Sequence, residues 1–284
     1  MASRLSPVGR LQRILLATGG GESSAGAGSL ALGLAADHGA ELLLMRVVLT
    51  NPEYESMAPE RVEAETAAAR EDLEALAAQA RGRGIVCHTR VRHGVDPYVA
   101  VVQEADESRV DCVVVGRRRR GPLARLVMGD STARIVGHVP CSVLAVPPEV
   151  RDPRRHILVA TDGSRVADAA CAMAAELARV GGVPLTVLSV TRPEDPDAER
   201  AAAGEAVQRV LDLLKPELAD SGVTLEGMVE QGRPESVIVE TAQRRGADLV
   251  VVGSHGHGGL ERLLMGSVAE RVVTHAPCPV LVVK

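Results

Sequence analysis

The chain repeats itself, and that constrains its fold more than any other feature. The segment DCVVVGRRRRGPLARLVMGDSTARIVGHVPCSVLAV, Asp111 to Val146, aligns without gaps on DLVVVGSHGHGGLERLLMGSVAERVVTHAPCPVLVV, Asp248 to Val283, at an offset of 137 residues. Further upstream, RILLATGGGESS from Arg13 aligns on HILVATDGSRVA from His156 at an offset of 143. The difference lies between the second strand and the Pro97/Pro234 pair, where the first copy carries the longer insert NPEYESMAPE, expected as a loop. Two copies of one unit suit a length of 284 residues at roughly 100–200 residues per domain. The seam PPEVRDPRR, Pro147 to Arg155, reads as a linker, which predicts domains over residues 1–148 and 149–284.

Within each copy the apolar pattern alternates between short continuous runs and longer amphipathic stretches. In the second copy strands are expected over His156–Ala160, Leu185–Val190, Val223–Val229, Leu249–Val252 and Pro279–Val283. Helices are expected over Arg165–Val180, Asp197–Asp220, from Pro234 to Gly246, and from about Ser267 to His275. Asp96-Pro97 is the corresponding cap-plus-first-turn signal in the first copy. Runs such as VVVG and VLVV suit strands buried on both faces. In a β-α-β-α order that means a parallel sheet with helices on each side, a doubly wound, Rossmann-like α/β domain per copy. The strand order is left open at this point.

Composition narrows the chemistry. The chain has no Phe, no Trp and two tyrosines, so its core is aliphatic and the aromatic platforms of single-strand nucleic-acid binders are missing. Only Lys215 and Lys284 are lysines and neither completes a Gly-Lys-Ser/Thr ending, which excludes a Walker A loop. A net charge of −5 gives no global field for DNA or anionic lipid. The five cysteines are widely spaced without a C-x-x-C, which suggests neither a disulfide framework nor a zinc site and fits a reducing cytoplasm. No signal-peptide pattern opens the chain, and no stretch reaches ~18 uninterrupted apolar residues; the expectation is a cytoplasmic chain without a membrane partner.

In the second copy the strand Leu249–Val252 runs into Gly253-Ser-His-Gly256, and Gly266-Ser267 follows at a helix start: Gly-x2-Gly-x9-Gly-Ser. Glycines allow positive φ and close approach of a ligand, while loop and helix-terminal N–H groups point at an anion. Ser267 is expected to serve both as helix N-cap and as a hydroxyl donor to a phosphate oxygen. Ligands in such sheets bind beyond the carboxyl ends of the strands, where Asp162 is also expected.

The segment ILVATDGS, this loop and the closing APCPVLVV resemble the universal stress protein family, in particular its ATP-binding branch in a tandem two-domain arrangement. The resemblance covers nearly the whole chain and is weakest in the helical middles. It implies two adenine nucleotide alpha hydrolase-like domains, each a five-stranded parallel sheet of order 3-2-1-4-5 with ATP across the crevice between the first and fourth strands. It further implies that Ala160, Thr161 and Asp162 contact adenine and ribose, that Val190 packs on the base, and that Val252, Gly253, Gly256, Gly266, Ser267 and Val268 hold ribose and phosphates. Mg²⁺ would bridge the phosphates, and cyclic AMP is an alternative ligand. The final strands would pair across a two-fold interface, here between Ser142–Val146 and Pro279–Val283 as an intrachain pseudo-dimer, with a homodimer as a further option.

The first copy departs at the informative places. Gly19 stands where Asp162 is, Arg119 where Gly256 is and Asp130 where Ser267 is; only Gly116 and Gly129 persist. A long side chain at 119 obstructs backbone approach and the Asp130 carboxylate repels phosphate, so the first copy is not expected to bind ATP. Arg117 to Arg120 read either as a solvated loop or as an anion or acidic-partner site, and ATGGGESS as a tight turn. His255 and His257 flank the phosphate loop; the matched His138/His275 and Cys141/Cys278 read as packing residues. The functional expectation is an ATP-binding regulatory, stress-response protein with its nucleotide in the C-terminal domain. The alternatives are a slow ATPase or phosphotransferase, and a protein-interaction module using Arg117–Arg120. The absence of lysine and arginine from the loop core of the second copy favours binding over catalysis.

Overall fold

The computed structural model describes residues 11–21, 24–117, 130–148, 150, 155–256 and 265–284. The chain forms two compact units, one of Leu11–Asp152 and one containing Pro153–Lys284.

In the first unit the elements are β1 (Arg13–Ala17), α1 (Ala25–His38), β2 (Glu41–Leu49), α2 (Pro52–Met57), α3 (Pro59–Gly82), β3 (Cys87–Gly94), α4 (Pro97–Glu107), β4 (Cys112–Gly116), α5 (Asp130–His138) and β5 (Ser142–Val146). The second unit has β6 (Ile157–Ala160), α6 (Arg165–Gly181), β7 (Leu185–Thr191), α7 (Asp197–Leu218), β8 (Leu225–Gln231), α8 (Pro234–Arg245), β9 (Leu249–Gly253), α9 (Ser267–His275) and β10 (Val280–Val283). Within each unit the strands pair in parallel. The order is β3-β2-β1-β4-β5 in the first unit and β8-β7-β6-β9-β10 in the second, the 3-2-1-4-5 arrangement twice. α4 packs on α5 and α8 on α9, whereas α6 packs on α7, so helices cover both sheet faces. Among the described residues no helix is long and apolar enough to cross a membrane.

The strands form because aliphatic side chains are buried on both faces. Ile14, Leu15, Leu16, Val113, Val114, Leu158, Val159, Val250 and Val251 have no measurable exposure. The aspartate that opens each aligned repeat has a structural task. Asp111 Oδ2 accepts from the backbone N–H of Gln12 and Arg13, both at 2.8 Å, and Asp248 accepts from Arg155 and His156 in the same way. Each clamps the start of the central strand to its neighbour. Helix ends follow local chemistry: Asp96 and Ser164 cap α4 and α6 through Tyr98 and Ala167 N–H, and Gly246 closes α8 in the left-handed conformation.

Two local expectations change. The insert is a short helix, α2, rather than a loop: the Asn51 side chain accepts from Tyr54 N–H and Pro52 occupies the first turn. The strand expected over Val223–Val229 lies two residues further on, as β8. Its register is set by pairing with β7 rather than by its own half-exposed side chains.

The fold predicts cysteine reactivity. Burial, reinforced by Asp168, raises the Cys171 thiol to about 12, and burial raises that of Cys112 further. At pH 8 a thiol of that pKa is about one part in ten thousand thiolate. N-ethylmaleimide at pH 8 should therefore label only the half-buried Cys87 and Cys141 in the native chain, with Cys112, Cys171 and Cys278 reacting after denaturation. Labelling of Cys171 on the timescale of Cys87, read by peptide mass spectrometry, contradicts the packing described.

A second prediction concerns a buried charge. Glu104, on α4 and 1% exposed, accepts from Arg92 Nε at 2.6 Å and from Ser108 Oγ at 2.8 Å. Glu104→Ala is expected to cost about 2–4 kcal/mol in urea unfolding, and Glu104→Gln, which keeps an acceptor, distinctly less.

Candidate functional site

A parallel sheet covered on both faces leaves its strand ends as the open chemistry-bearing edge. In the second unit the carboxyl ends of β6, β7 and β9 and the start of α9 gather the residues that the sequence singles out. Ala160 ends β6, and Thr161 and Asp162 follow it. Thr161 N–H donates to Leu188 O at 2.8 Å, and its buried hydroxyl accepts from Gly163 N–H at 3.1 Å. Gly163 has φ +82°, which a residue with a Cβ adopts at a cost. This turn leads into α6 and leaves Asp162 exposed, its Oδ1 accepting from Ser164 N–H at 3.0 Å.

Val190 lies near the end of β7, half-buried. Val252 and Gly253 end β9, Val252 fully inside and Gly253 at the rim. Gly256 then comes back against β6: a Cβ added there would collide with Asp162 Oδ2. Any side chain at 256 would therefore have to displace the exposed Asp162 carboxylate. The loop is held from beneath by Ser254, which the sequence reading did not select. Its N–H donates to Val283 O at 2.7 Å, its carbonyl accepts from Gly266 N–H at 2.8 Å, and its hydroxyl lies 3.1 Å from His255 Nδ1. The only sequence signal for Ser254 is its position next to Gly253.

The helix start differs from expectation. Gly266, extended at φ −68° and ψ 146°, is the N-cap of α9, and Ser267 is the first helical residue. No side chain caps this end, so Ser267 is not spent on capping; it is exposed, with Val268 half-buried beside it. α9 is anchored to α8 by Arg271 Nη1 donating to Glu235 Oε1 at 2.6 Å. Burial works against the Glu235 charge, yet its own backbone N–H and Arg271 together hold its carboxyl below the usual range. All ten residues singled out therefore belong to one strand-end region. His255 is half-buried, its Nδ1 beside the Ser254 hydroxyl, and His257 lies outside the described residues.

The first unit keeps the turn and changes what surrounds it. Gly20 N–H donates to Thr18 Oγ1 at 3.1 Å and Gly20 and Gly21 have φ +77° and +71°, as a tight turn requires. Over that turn lies an ion pair: Arg46, from β2, donates to Asp72, from α3. A Cβ at Gly20 would come within 3.0 Å of the Arg46 guanidinium and 2.8 Å of Asp72 Oδ2. The register of the ladders gives Ser189 the place in β7 that Arg46 has in β2. Arg117, expected in a solvated or partner-binding run, is instead fully buried at the end of β4, where the second unit has Ser254; its N–H donates to Val146 O at 2.7 Å. Continuation of the ladder by one residue draws it inside. Arg118–Arg120 and Gly129 lie outside the described residues, as does the side chain of Asp130.

The matched histidines, read as packing residues, are instead exposed: His138 and His275 each place Nδ1 2.7 Å from the carbonyl four residues back, on Arg134 and Arg271. Cys278 is buried as expected, while Cys141 is only half-buried. Among the described residues no three His, Cys, Asp or Glu side chains come together as metal ligands.

Comparison with known proteins agrees with this architecture. Residues 10–147 and 153–284 each match the universal stress protein family profile. A universal stress protein of Mycolicibacterium smegmatis is 30% identical over 220 residues, covering 71% of this chain and 70% of the relative. One from Methanocaldococcus jannaschii is 48% identical over 80 residues, 28% of this chain, and the match spans about half (47%) of that relative's length. The crystal structure of a universal stress protein from Archaeoglobus fulgidus superposes with a TM-score of 0.75 at 21% identity, over 96% of this chain and 98% of that one, a likeness of fold. With the profile matched twice, over nearly the whole chain, and the 3-2-1-4-5 sheet built twice, the chain belongs to the universal stress protein family as a tandem, two-domain member.

Proposed function

We infer that the C-terminal unit binds ATP across the ends of β6 and β9, and that the chain acts as a nucleotide-responsive regulator rather than as a phosphoryl-transfer enzyme. The observation that carries this reading is the approach of Gly256 to Asp162. Together with the uncapped start of α9 at Gly266 and Ser267, it sets glycine backbone beside one exposed carboxylate. Asp162 is suited to accept from ribose hydroxyls or adenine, and Val190 and Val252 to offer an apolar wall. The N–H groups of Gly256 and of the first turn of α9 suit phosphate oxygens. Mg²⁺ would arrive with the phosphates, since the described residues bring no metal-ligand cluster of their own. Phosphoryl transfer needs concentrated positive charge and a positioned base, and the described part of this loop offers neither lysine nor arginine.

The N-terminal unit is read as a partner domain that does not take nucleotide. Arg46 and Asp72 cover its β1–α1 turn, and Arg117 fills the end of β4. Long charged side chains there replace the small residues of the second unit.

Gly256→Arg tests the reading by writing the first unit's residue into the second. ATP titrated calorimetrically into the full chain, stripped of endogenous nucleotide, should bind at least about 100-fold more weakly to the variant, or about 2.7 kcal/mol. Retained affinity in a folded Gly256→Arg chain contradicts the proposed site.

A further inference from the structure

The two units differ most sharply around the insert. At the carboxyl ends of β2 and β3 the first unit exposes large aliphatic side chains: Leu49 at 54%, Val95 at 73%, Val99 at 39%, and Met57 at 78% on α2. Leu49 pairs with Gly94 at the end of the β2–β3 ladder, Thr50 N–H donating to Gly94 O at 3.0 Å, and Val95 follows Gly94 directly. Val99 lies one helical turn on, in the first turn of α4, and Met57 ends the helix that leaves β2 just beyond Leu49. The corresponding region of the second unit is polar, with Arg192, Arg233 and Ser236, and has no counterpart of α2. The patch is therefore not a property of the fold.

Its rim is acidic. Residues 51–65 hold five glutamates against one arginine, Arg61. Glu53, Glu55, Glu60 and Glu63 are exposed and, among the described residues, take part in none of the unit's ion pairs. By contrast Asp72, Glu74, Asp96, Glu104 and Glu107 are all paired with arginine. The insert is also preorganised: Asn51 caps α2, and Thr66 Oγ1, on α3, lies 2.9 Å from His93 Nε2 at the end of β3. An exposed apolar centre with uncompensated negative charge around it complements a segment apolar on one face and basic on the other.

We propose that this end of the N-terminal unit is a docking surface for a basic amphipathic helix of a partner protein. Its apolar face would cover Leu49, Val95 and Val99, and its lysines or arginines would face Glu53, Glu55, Glu60 and Glu63. A helix of about 12 residues, roughly 18 Å long, suits the end of a two-strand ladder and its flanking helices. The proposal is independent of whether the C-terminal unit binds nucleotide.

The test uses a fluorescein-labelled 14-residue peptide with leucine at i, i+3, i+4 and i+7 spacing and lysine elsewhere, titrated with the full chain by fluorescence anisotropy. A control peptide keeps the lysines and replaces the leucines by serine. The first peptide should bind at least ten-fold more tightly than the control, and Leu49→Ser/Val95→Ser should weaken it at least ten-fold. Glu53→Gln/Glu55→Gln should weaken it several-fold and flatten its salt dependence. Should the double serine variant lose its fold by circular dichroism, Val95→Ser alone replaces it. Equal binding of both peptides, or binding unchanged by these substitutions, overturns the proposal. So does a chain dimer in sedimentation that dissociates in the serine variants, which would give the patch to a second copy. Binding to anionic vesicles lost with the same substitutions would assign it to a membrane and overturn it likewise.

Discussion

Burial of aliphatic strands on both faces is the constraint on which the rest depends. Each central strand gives its side chains to the core on both sides, so neither face is free for recognition, and what varies between the units varies at the strand ends. The Asp111 and Asp248 clamps fix the amino ends of the ladders, and the threonine-glycine turns at Thr18 and Thr161 fix one carboxyl end of each. Between those fixed points the carboxyl edge is free to diverge without disturbing the sheet.

Divergence there is a matter of side-chain reach. In the second unit the edge is lined by small residues, and Gly256, without a Cβ, lies against the exposed Asp162 carboxylate. In the first unit the same backbone turn lies under the Arg46–Asp72 pair, and a buried arginine stands at 117 where a serine stands at 254. One architecture thus sets small residues at this edge in one copy and long charged side chains in the other. The insert carries the asymmetry further, replacing polar residues at the ends of β7 and β8 by an apolar, acid-rimmed surface at β2 and β3.

The elements were legible where local chemistry decides them. The VVVG and VLVV runs predict β4, β9 and β10, Asp96-Pro97 predicts the start of α4, and Gly246 predicts the end of α8. The spacing of Gly253, Gly256 and Gly266 predicts a strand-end loop returning to a helix start. What escaped depends on long-range contacts. The Arg46–Asp72 pair joins a strand to a helix 26 residues away, and nothing local marks it. Arg117 reads as solvated because it opens a run of four arginines, although ladder continuation buries it. The helix α2 was readable in principle, since Asn51-Pro52 has the same cap-and-proline chemistry as Asp96-Pro97.

The central claim is that one crevice of two holds nucleotide. Equilibrium dialysis of radiolabelled ATP against the nucleotide-free full chain measures this directly. Saturation at one ATP per chain is the predicted result; two equivalent sites, or no binding at millimolar ATP, would contradict the account.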